Sequence, residues 1–97
     1  MPTYVLLIDW TQQGVGNFKD SVDRYEAARG QFEGMGVRFK DIYWTLGSHD
    51  IVSVVDAPDS ETLAAALLML ASQGNVRTTT LRALSADEMR GAIAKTG

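Results

Sequence analysis

Two short segments that are apolar on both faces of an extended chain restrict the fold most. Residues 3–10, TYVLLIDW, carry no polar side chain between Tyr4 and Ile8, apart from the tyrosine hydroxyl, and residues 51–55, IVSVV, contain a single serine. Side chains alternate between the two faces of a sheet, so a strand that is apolar at nearly every position needs cover on both faces. We therefore predict that these segments are the two central strands of a sheet.

Two further segments have the composition of edge strands. Residues 37–46 mix charged and aromatic side chains, and residues 75–84 are rich in threonine and arginine. The short link Gly47–Asp50 joins the first of these segments to residues 51–55, which is typical of a β-hairpin. The chain therefore provides four strands, with the charged pair at the edges.

Apolar residues at helical spacing predict two long helices and a short third one. In the first helix they are Phe18, Val22, Tyr25, Phe32 and Met35. Asn17 is its expected N-cap, after a glycine-containing turn over residues 11–17. The second helix follows Pro58, with Asp59 or Ser60 as its cap, and ends before Gly74. Residues 85–88, SADE, form a capping box that opens a short tail helix.

The predicted order is β-α-β-β-α-β followed by a C-terminal helix, in a single domain over residues 1–97. Right-handed crossovers place strands one and three in the middle of an antiparallel α+β sheet of ferredoxin-like order 4-1-3-2. Two helices cover one face of this sheet. The apolar second face predicts further cover, by the tail helix or, by fold analogy, by a second subunit in a dimeric α+β barrel.

Composition excludes several classes of function. The chain has no cysteine, one histidine and a net charge of −3, so no thiolate or multi-histidine metal site is expected and no cofactor is indicated. No cluster of basic residues suits a phosphate backbone, and residues 51–55 lack the aromatic and basic side chains of an RNA-recognition strand, so no nucleic-acid partner is expected. The longest apolar run, residues 63–71, is far short of the roughly 20 residues of a membrane span. Without a signal-peptide pattern, the cytoplasm is the expected location.

The hairpin and the end of the first strand hold the candidate ligand-binding residues. They are Trp10, Tyr43, Thr45, His49 and Asp50. Hairpin pairing is expected to place residue 44 opposite 53, or 43 opposite 54. It puts Ile42, Trp44 and Leu46 on the helix-covered face, and Tyr43 and Thr45 on the other face, where we expect a cleft.

Each of these candidates also has a purely structural interpretation. His49 and Asp50 suit proton transfer, although neighbouring residues of a strand point to opposite faces and a solvent-exposed turn is the alternative. Trp10 and Tyr43 suit the wall of an apolar pocket, and packing in the core or a dimer interface is the alternative. No catalytic or metal-binding residue is assigned.

Three blocks of this sequence resemble the GYD-domain family of small bacterial and archaeal proteins. They are residues 43–52, YWTLGSHDIV; residues 55–59, VDAPD; and residues 74–81, GNVRTTTL. Gly47 and Asp50 match the signature for which the family is named, whereas His49 stands where tyrosine is usual. The resemblance runs from about Tyr4 to Leu84 and implies a ferredoxin-like protein that forms dimers or higher oligomers. It implies no reaction.

Three functions are compatible with these observations. The first is a small-molecule-binding or regulatory homo-oligomer, suggested by the mixed sheet face. The second is a cofactor-independent enzyme of the dimeric α+β barrel class, such as a monooxygenase or isomerase, in which Tyr43, His49 or Asp50 would handle protons. The third is a structural or interaction subunit without a ligand, whose second sheet face is used up by the oligomer.

Overall fold

The computed structural model describes residues 1–97 and contains one four-stranded antiparallel sheet. The strands are β1 (Thr3–Trp10), β2 (Arg38–Trp44), β3 (Ile51–Asp56) and β4 (Val76–Ala83). The helices are α1 (Gln12–Gly16), α2 (Ser21–Gly34), α3 (Ser60–Ser72) and α4 (Ala86–Ala94). The observed strand order β2-β3-β1-β4 is the predicted order 4-1-3-2 seen from the opposite edge. The ferredoxin-like fold, with β1 and β3 in the centre, is confirmed.

The segment after β1 differs from its prediction. Instead of a turn, it forms the short helix α1, whose N-cap Thr11 accepts a hydrogen bond from the Gly14 N–H at 3.1 Å. Asn17 makes no side-chain cap, and one turn of 3-10 helix over Phe18–Asp20 leads into α2. The reason is a tertiary contact, since the Thr11 N–H donates to the Asn75 carbonyl at 3.0 Å and anchors α1 beside β4.

The hairpin register is shifted by two residues from its prediction. Trp44 pairs with Ile51 and Tyr43 with Val52, because the Thr45 N–H donates to the Asp50 carbonyl at 2.8 Å and extends the pairing toward the turn. A shift of two residues leaves every side chain on its predicted face. Leu46 is nevertheless fully exposed, because it lies beyond the end of β2. The predicted place of Leu46 in the helix-covered core is therefore wrong.

Helices α2 and α3 cover one face of the sheet and enclose the core. The largest fully buried apolar side chains there are Leu6, Phe32, Val37 and Val55. Trp44 lies on the same face, where its indole N–H donates to the Ser21 hydroxyl at 2.8 Å. Every second residue of β1 and β3 is buried under the helices, and the residues between them face the other side of the sheet.

No helix covers the other face, which we call the open face. Its apolar side chains are the partly exposed Val5, Leu7, Val52 and Val54, together with Leu81, which is 47% exposed. The capping box predicted for α4 is present, but none of the residues of α4 is buried. The tail helix therefore does not cover the open face of its own chain, contrary to one of the two predicted forms of cover.

None of the four helices has both the length and the apolar character needed to cross a membrane.

Candidate functional site

The turn between β2 and β3 is closed by hydrogen bonds of its own residues. The Thr45 hydroxyl donates to the His49 carbonyl at 2.6 Å, and Gly47 lies at a φ of +131°. A side chain rarely adopts this backbone conformation, so glycine is required at the tip of the turn. The positive φ of Gly47 and the Thr45 hydrogen bond together hold the turn in one shape.

Asp50 ties this turn to the end of β1. One of its carboxylate oxygens accepts the Trp10 N–H at 2.9 Å, and its own N–H donates to the Ile8 carbonyl at 3.1 Å. The signature aspartate therefore joins the hairpin turn to β1, and the carboxylate that contacts the adjacent histidine is that of Asp9. A hydrogen bond between a backbone N–H and a carboxylate is charge-assisted, which makes the tie stronger than a neutral one.

The partner of His49 is Asp9. The histidine Nδ1 lies 3.2 and 3.3 Å from the two carboxylate oxygens of Asp9, and the two side chains are 34% and 25% exposed. With Nδ1 donating to the carboxylate, Nε2 remains as an acceptor, which is the arrangement of a general base. Sequence reasoning missed Asp9. The available signal was a lone acidic residue at the end of an otherwise apolar strand that neighbours the start of β3.

The structure thus brings together three of the five predicted site residues, Thr45, His49 and Asp50. Tyr43 lies on the open face opposite Val52 and is 61% exposed. Trp10 contributes only its backbone N–H to this group. Its indole lies on the helix-covered face, in line with Ile8. Asp9 joins the group as a fourth member.

The indole of Trp10 borders a small cavity between α2, α3 and the sheet. The cavity has a volume of about 50 Å³, and nine of its thirteen lining residues are hydrophobic. The Trp10 Nε1–H is buried and has no hydrogen-bond partner. None of Tyr43, Thr45, His49 and Asp50 borders this cavity or the open groove beside Arg38. No group of three or more histidine, cysteine, aspartate or glutamate side chains could hold a metal ion.

A known family model matches nearly the whole chain. The family model described as GYD domain matches residues 4–93. The chain belongs to the GYD-domain family. In this GYD-domain protein, the two signature residues present are the ones that shape the hairpin: Gly47 through its positive φ and Asp50 through its tie to β1.

Relatives of this GYD-domain protein extend over nearly its whole length. It is 39% identical over 85 residues to the glutamine synthetase and cystathionine beta-lyase binding protein of Thermus thermophilus, covering 87% of this chain and 90% of the relative. Among solved structures, TTHA0845 of Thermus thermophilus is 25% identical with a TM-score of 0.57, over 89% of this chain and 96% of the other.

A second solved structure shares the fold alone. MtbAldR is similar with a TM-score of 0.67 at 15% identity, over 87% of this chain. The chain spans about half, 52%, of the length of MtbAldR.

Proposed function

We propose that this GYD-domain protein acts by binding enzymes, among them a glutamine synthetase or a cystathionine beta-lyase. The observation that carries the proposal is the 39% identity to a relative named for binding these two enzymes, in an alignment that covers 90% of that relative. We therefore favour a regulatory or interaction role over an enzymatic one. The His49–Asp9 pair has the groups for proton transfer but no cavity beside it to hold a substrate.

The hairpin tip is the proposed docking element. Leu46 is 102% exposed at the tip, and Tyr43 is 61% exposed on the strand that leads to it. Thr45 and Asp50 hold the turn in one shape through their hydrogen bonds. Rigid presentation of an apolar anchor lowers the entropic cost of association, and large side chains that become buried dominate interface energies.

The test is a direct binding measurement with purified glutamine synthetase and cystathionine beta-lyase from the organism that carries this chain. We expect at least one of them to bind the immobilised wild-type protein. Leu46→Ser is expected to weaken that binding at least about tenfold. Leu68→Ser is the matched control, because Leu68 is also an exposed leucine, 70% exposed on α3, and lies away from the hairpin tip. This control should change the affinity less than about twofold.

Two results would count against the proposal in different ways. If neither enzyme binds the wild-type protein at concentrations up to about 100 μM, which is weaker than ordinary specific complexes, enzyme binding is refuted. If an enzyme binds and both leucine variants lose affinity equally, the role of the hairpin tip is refuted and the enzyme partner stands.

We further propose that the protein is a cytoplasmic homodimer whose open faces pack against each other. The apolar residues of the open face support this, because a monomer leaves them in contact with water. In such a dimer the second subunit would supply the missing wall beside Tyr43, Thr45 and His49. A small-molecule site at these residues therefore depends on the dimer.

A small ligand is the second candidate function, and the unpartnered Trp10 Nε1–H favours it. The cavity of about 50 Å³ holds a few water-sized groups, so the ligand would be a small molecule with one hydrogen-bond acceptor. Thermal-shift measurements with small alcohols, amides and carboxylates test it. Stabilisation by one of them that is lost in Trp10→Phe supports this candidate, and no shift with any of them refutes it.

A further inference from the structure

The cavity between α2, α3 and the sheet has two buried hydrogen-bond donors at its wall that find no acceptor in the chain. One is the Trp10 Nε1–H. The other is the hydroxyl of Ser21, which is 7% exposed and accepts the Trp44 indole N–H at 2.8 Å, so that its own proton is left to donate. A buried donor without an acceptor is unfavourable. Both groups therefore favour a ligand that accepts hydrogen bonds.

A positive charge lies at the same wall. Arg24 on α2 is partly buried and borders the cavity. Its Nη1 donates to the Asn17 carbonyl at 2.7 Å and its Nη2 to the Gly14 carbonyl at 3.1 Å, so the end of α1 holds the guanidinium in place. These bonds use two of its five N–H groups, and both acceptors are uncharged. Arg24 belongs to none of the four salt bridges of the chain, which leaves its charge unpaired.

The rest of the lining suits a short carbon chain. Nine of the thirteen lining residues are hydrophobic, and the four polar ones are Ser21, Arg24, Gln73 and Asn75. None of them is acidic, so an anion in the cavity would meet no like charge at the wall. Gln73 is exposed just after the end of α3, so the cavity reaches the surface beside it.

The volume of the cavity limits the size of its ligand. A water-sized group needs about 10–15 Å³, so a cavity of about 50 Å³ accommodates about three to five heavy atoms. Acetate and propionate are of this size. Larger acids and free amino acids with long side chains exceed it.

We propose that this cavity binds a small aliphatic carboxylate of the size of acetate or propionate. The carboxylate would accept hydrogen bonds from the Trp10 Nε1–H and the Ser21 hydroxyl, Arg24 would supply the opposite charge, and the carbon atoms would contact the apolar wall. This inference rests on the small-ligand function given above as the second candidate. It deepens that function, because it gives the ligand a charge and assigns the recognition of this charge to Arg24.

The first test compares each carboxylate with its amide, which has nearly the same shape and no charge. The full chain is titrated with acetate, propionate, acetamide and propionamide at neutral pH and constant ionic strength, and ¹H–¹⁵N NMR spectra are recorded. We expect propionate to bind with a dissociation constant of about 1 mM, a value within reach of so few atoms, and propionamide at least about tenfold more weakly. The indole signal of Trp10, assigned by its absence in Trp10→Phe, should shift with propionate until it saturates.

Two results separate this inference from the small-ligand function itself. Equal affinity for propionate and propionamide refutes the recognition of charge, and the small-ligand site stands. An indole signal of Trp10 that none of the four compounds shifts refutes both, and it is the result expected of a cavity that holds only water.

The second test removes the positive charge from the wall. Arg24→Gln is expected to weaken propionate binding at least about tenfold and to leave propionamide binding within about twofold. Arg29→Gln is the matched control, because Arg29 lies on the same helix and does not border the cavity. It should change either affinity less than about twofold. Equal effects of the two variants on propionate binding would overturn the role of Arg24.

Arg24 also holds the end of α1, so the fold of its variants is checked by circular dichroism and urea unfolding. Arg24→Lys keeps the charge and should retain a preference for propionate over propionamide, which loss of structure alone would not preserve. If neither Arg24 variant folds, the comparison of carboxylate with amide in the wild-type protein decides the proposal.

Discussion

At the hairpin, single residues have roles that their neighbours cannot replace. Gly47 provides a backbone conformation, Asp50 receives the Trp10 N–H, and His49 faces Asp9 across the strand boundary. The adjacent residues His49 and Asp50 therefore do not pair with each other. His49 contacts Asp9, and Asp50 accepts the Trp10 N–H.

Replacement of Gly47 by alanine is expected to destabilise the protein by about 1–3 kcal/mol, the cost of holding a side chain in a sparsely populated backbone region. A steric clash does not contribute to this loss, because no heavy atom lies within 4 Å of a Cβ built at this position. The measurement is urea unfolding at one fixed protein concentration, followed by circular dichroism. Gly30→Ala in α2 is the control, and it should stabilise by about 0.5–1 kcal/mol because its φ is ordinary. Equal effects in both variants would contradict the prediction.

At the scale of elements, the ends of the helices depend on contacts that differ in range. The tail helix α4 is capped locally, by Ser85 and Glu88 three residues apart. The short helix α1 depends on a distant residue, because Gly14 approaches the Asn75 carbonyl and Thr11 donates to it. This is why the pattern predicted the start of α4 correctly and the start of the first helix incorrectly.

Gly14→Ala is expected to destabilise the protein by about 1–3 kcal/mol through overpacking. A Cβ at this position would overlap the backbone oxygen of Asn75, in the segment that leads into β4. Gly16→Ala in the same helix meets no atom within 4 Å, so its stability should stay within about 0.5 kcal/mol of wild type. The free energy of unfolding in urea distinguishes the two variants, and a neutral Gly14→Ala would show that α1 can move away from Asn75.

Acidification is expected to loosen the start of α4. The hydrogen bond from the Ser85 N–H, followed by the contact with Arg82, lowers the pKa of the Glu88 carboxyl. A lowered folded-state pKa means that this stabilisation is present above the unfolded value of about 4.3 and is lost as the pH falls through the folded value. Amide chemical shifts of Ser85 and Glu88, followed by NMR from pH 7 to pH 2, should report the loss. In Glu88→Gln this pH-dependent step should vanish, and its persistence would exclude Glu88 as its origin.

At the scale of the whole molecule, stability is concentrated on one side of the sheet. The core lies under α2 and α3, and the open face and α4 contribute little to the folded state of one chain. A change at the open face, at α4 or at the hairpin tip is therefore expected to leave the core intact.

Phe32→Ala is expected to cost about 3–5 kcal/mol of the unfolding free energy, because its ring is fully enclosed by the sheet and α2. Phe32 is 2% exposed, whereas Phe18, at the start of the same helical region, is 56% exposed. Phe18→Ala should therefore change stability by no more than about 0.5 kcal/mol. Thermal and urea unfolding at equal concentrations compare the two variants, and similar losses would mean that Phe18 is buried in an assembly.

The sequence by itself determined which segments form strands and helices and in what order they follow one another. The apolar runs at residues 3–10 and 51–55 demanded central strands, and crossover handedness then left one order for the sheet. The hairpin turn that contains Gly47 and the Ser85–Glu88 capping box could also be predicted, because both depend on interactions between residues only a few positions apart.

Only the tertiary structure decided which distant groups meet. The pairing of His49 with Asp9, the tie from Asp50 to Trp10 and the contact of Gly14 with Asn75 each join residues forty or more positions apart. A strand's pattern determines which face a side chain takes, but the register and the turns set its neighbours across strands. The candidate site, built from the end of β1 and the turn between β2 and β3, follows from that geometry.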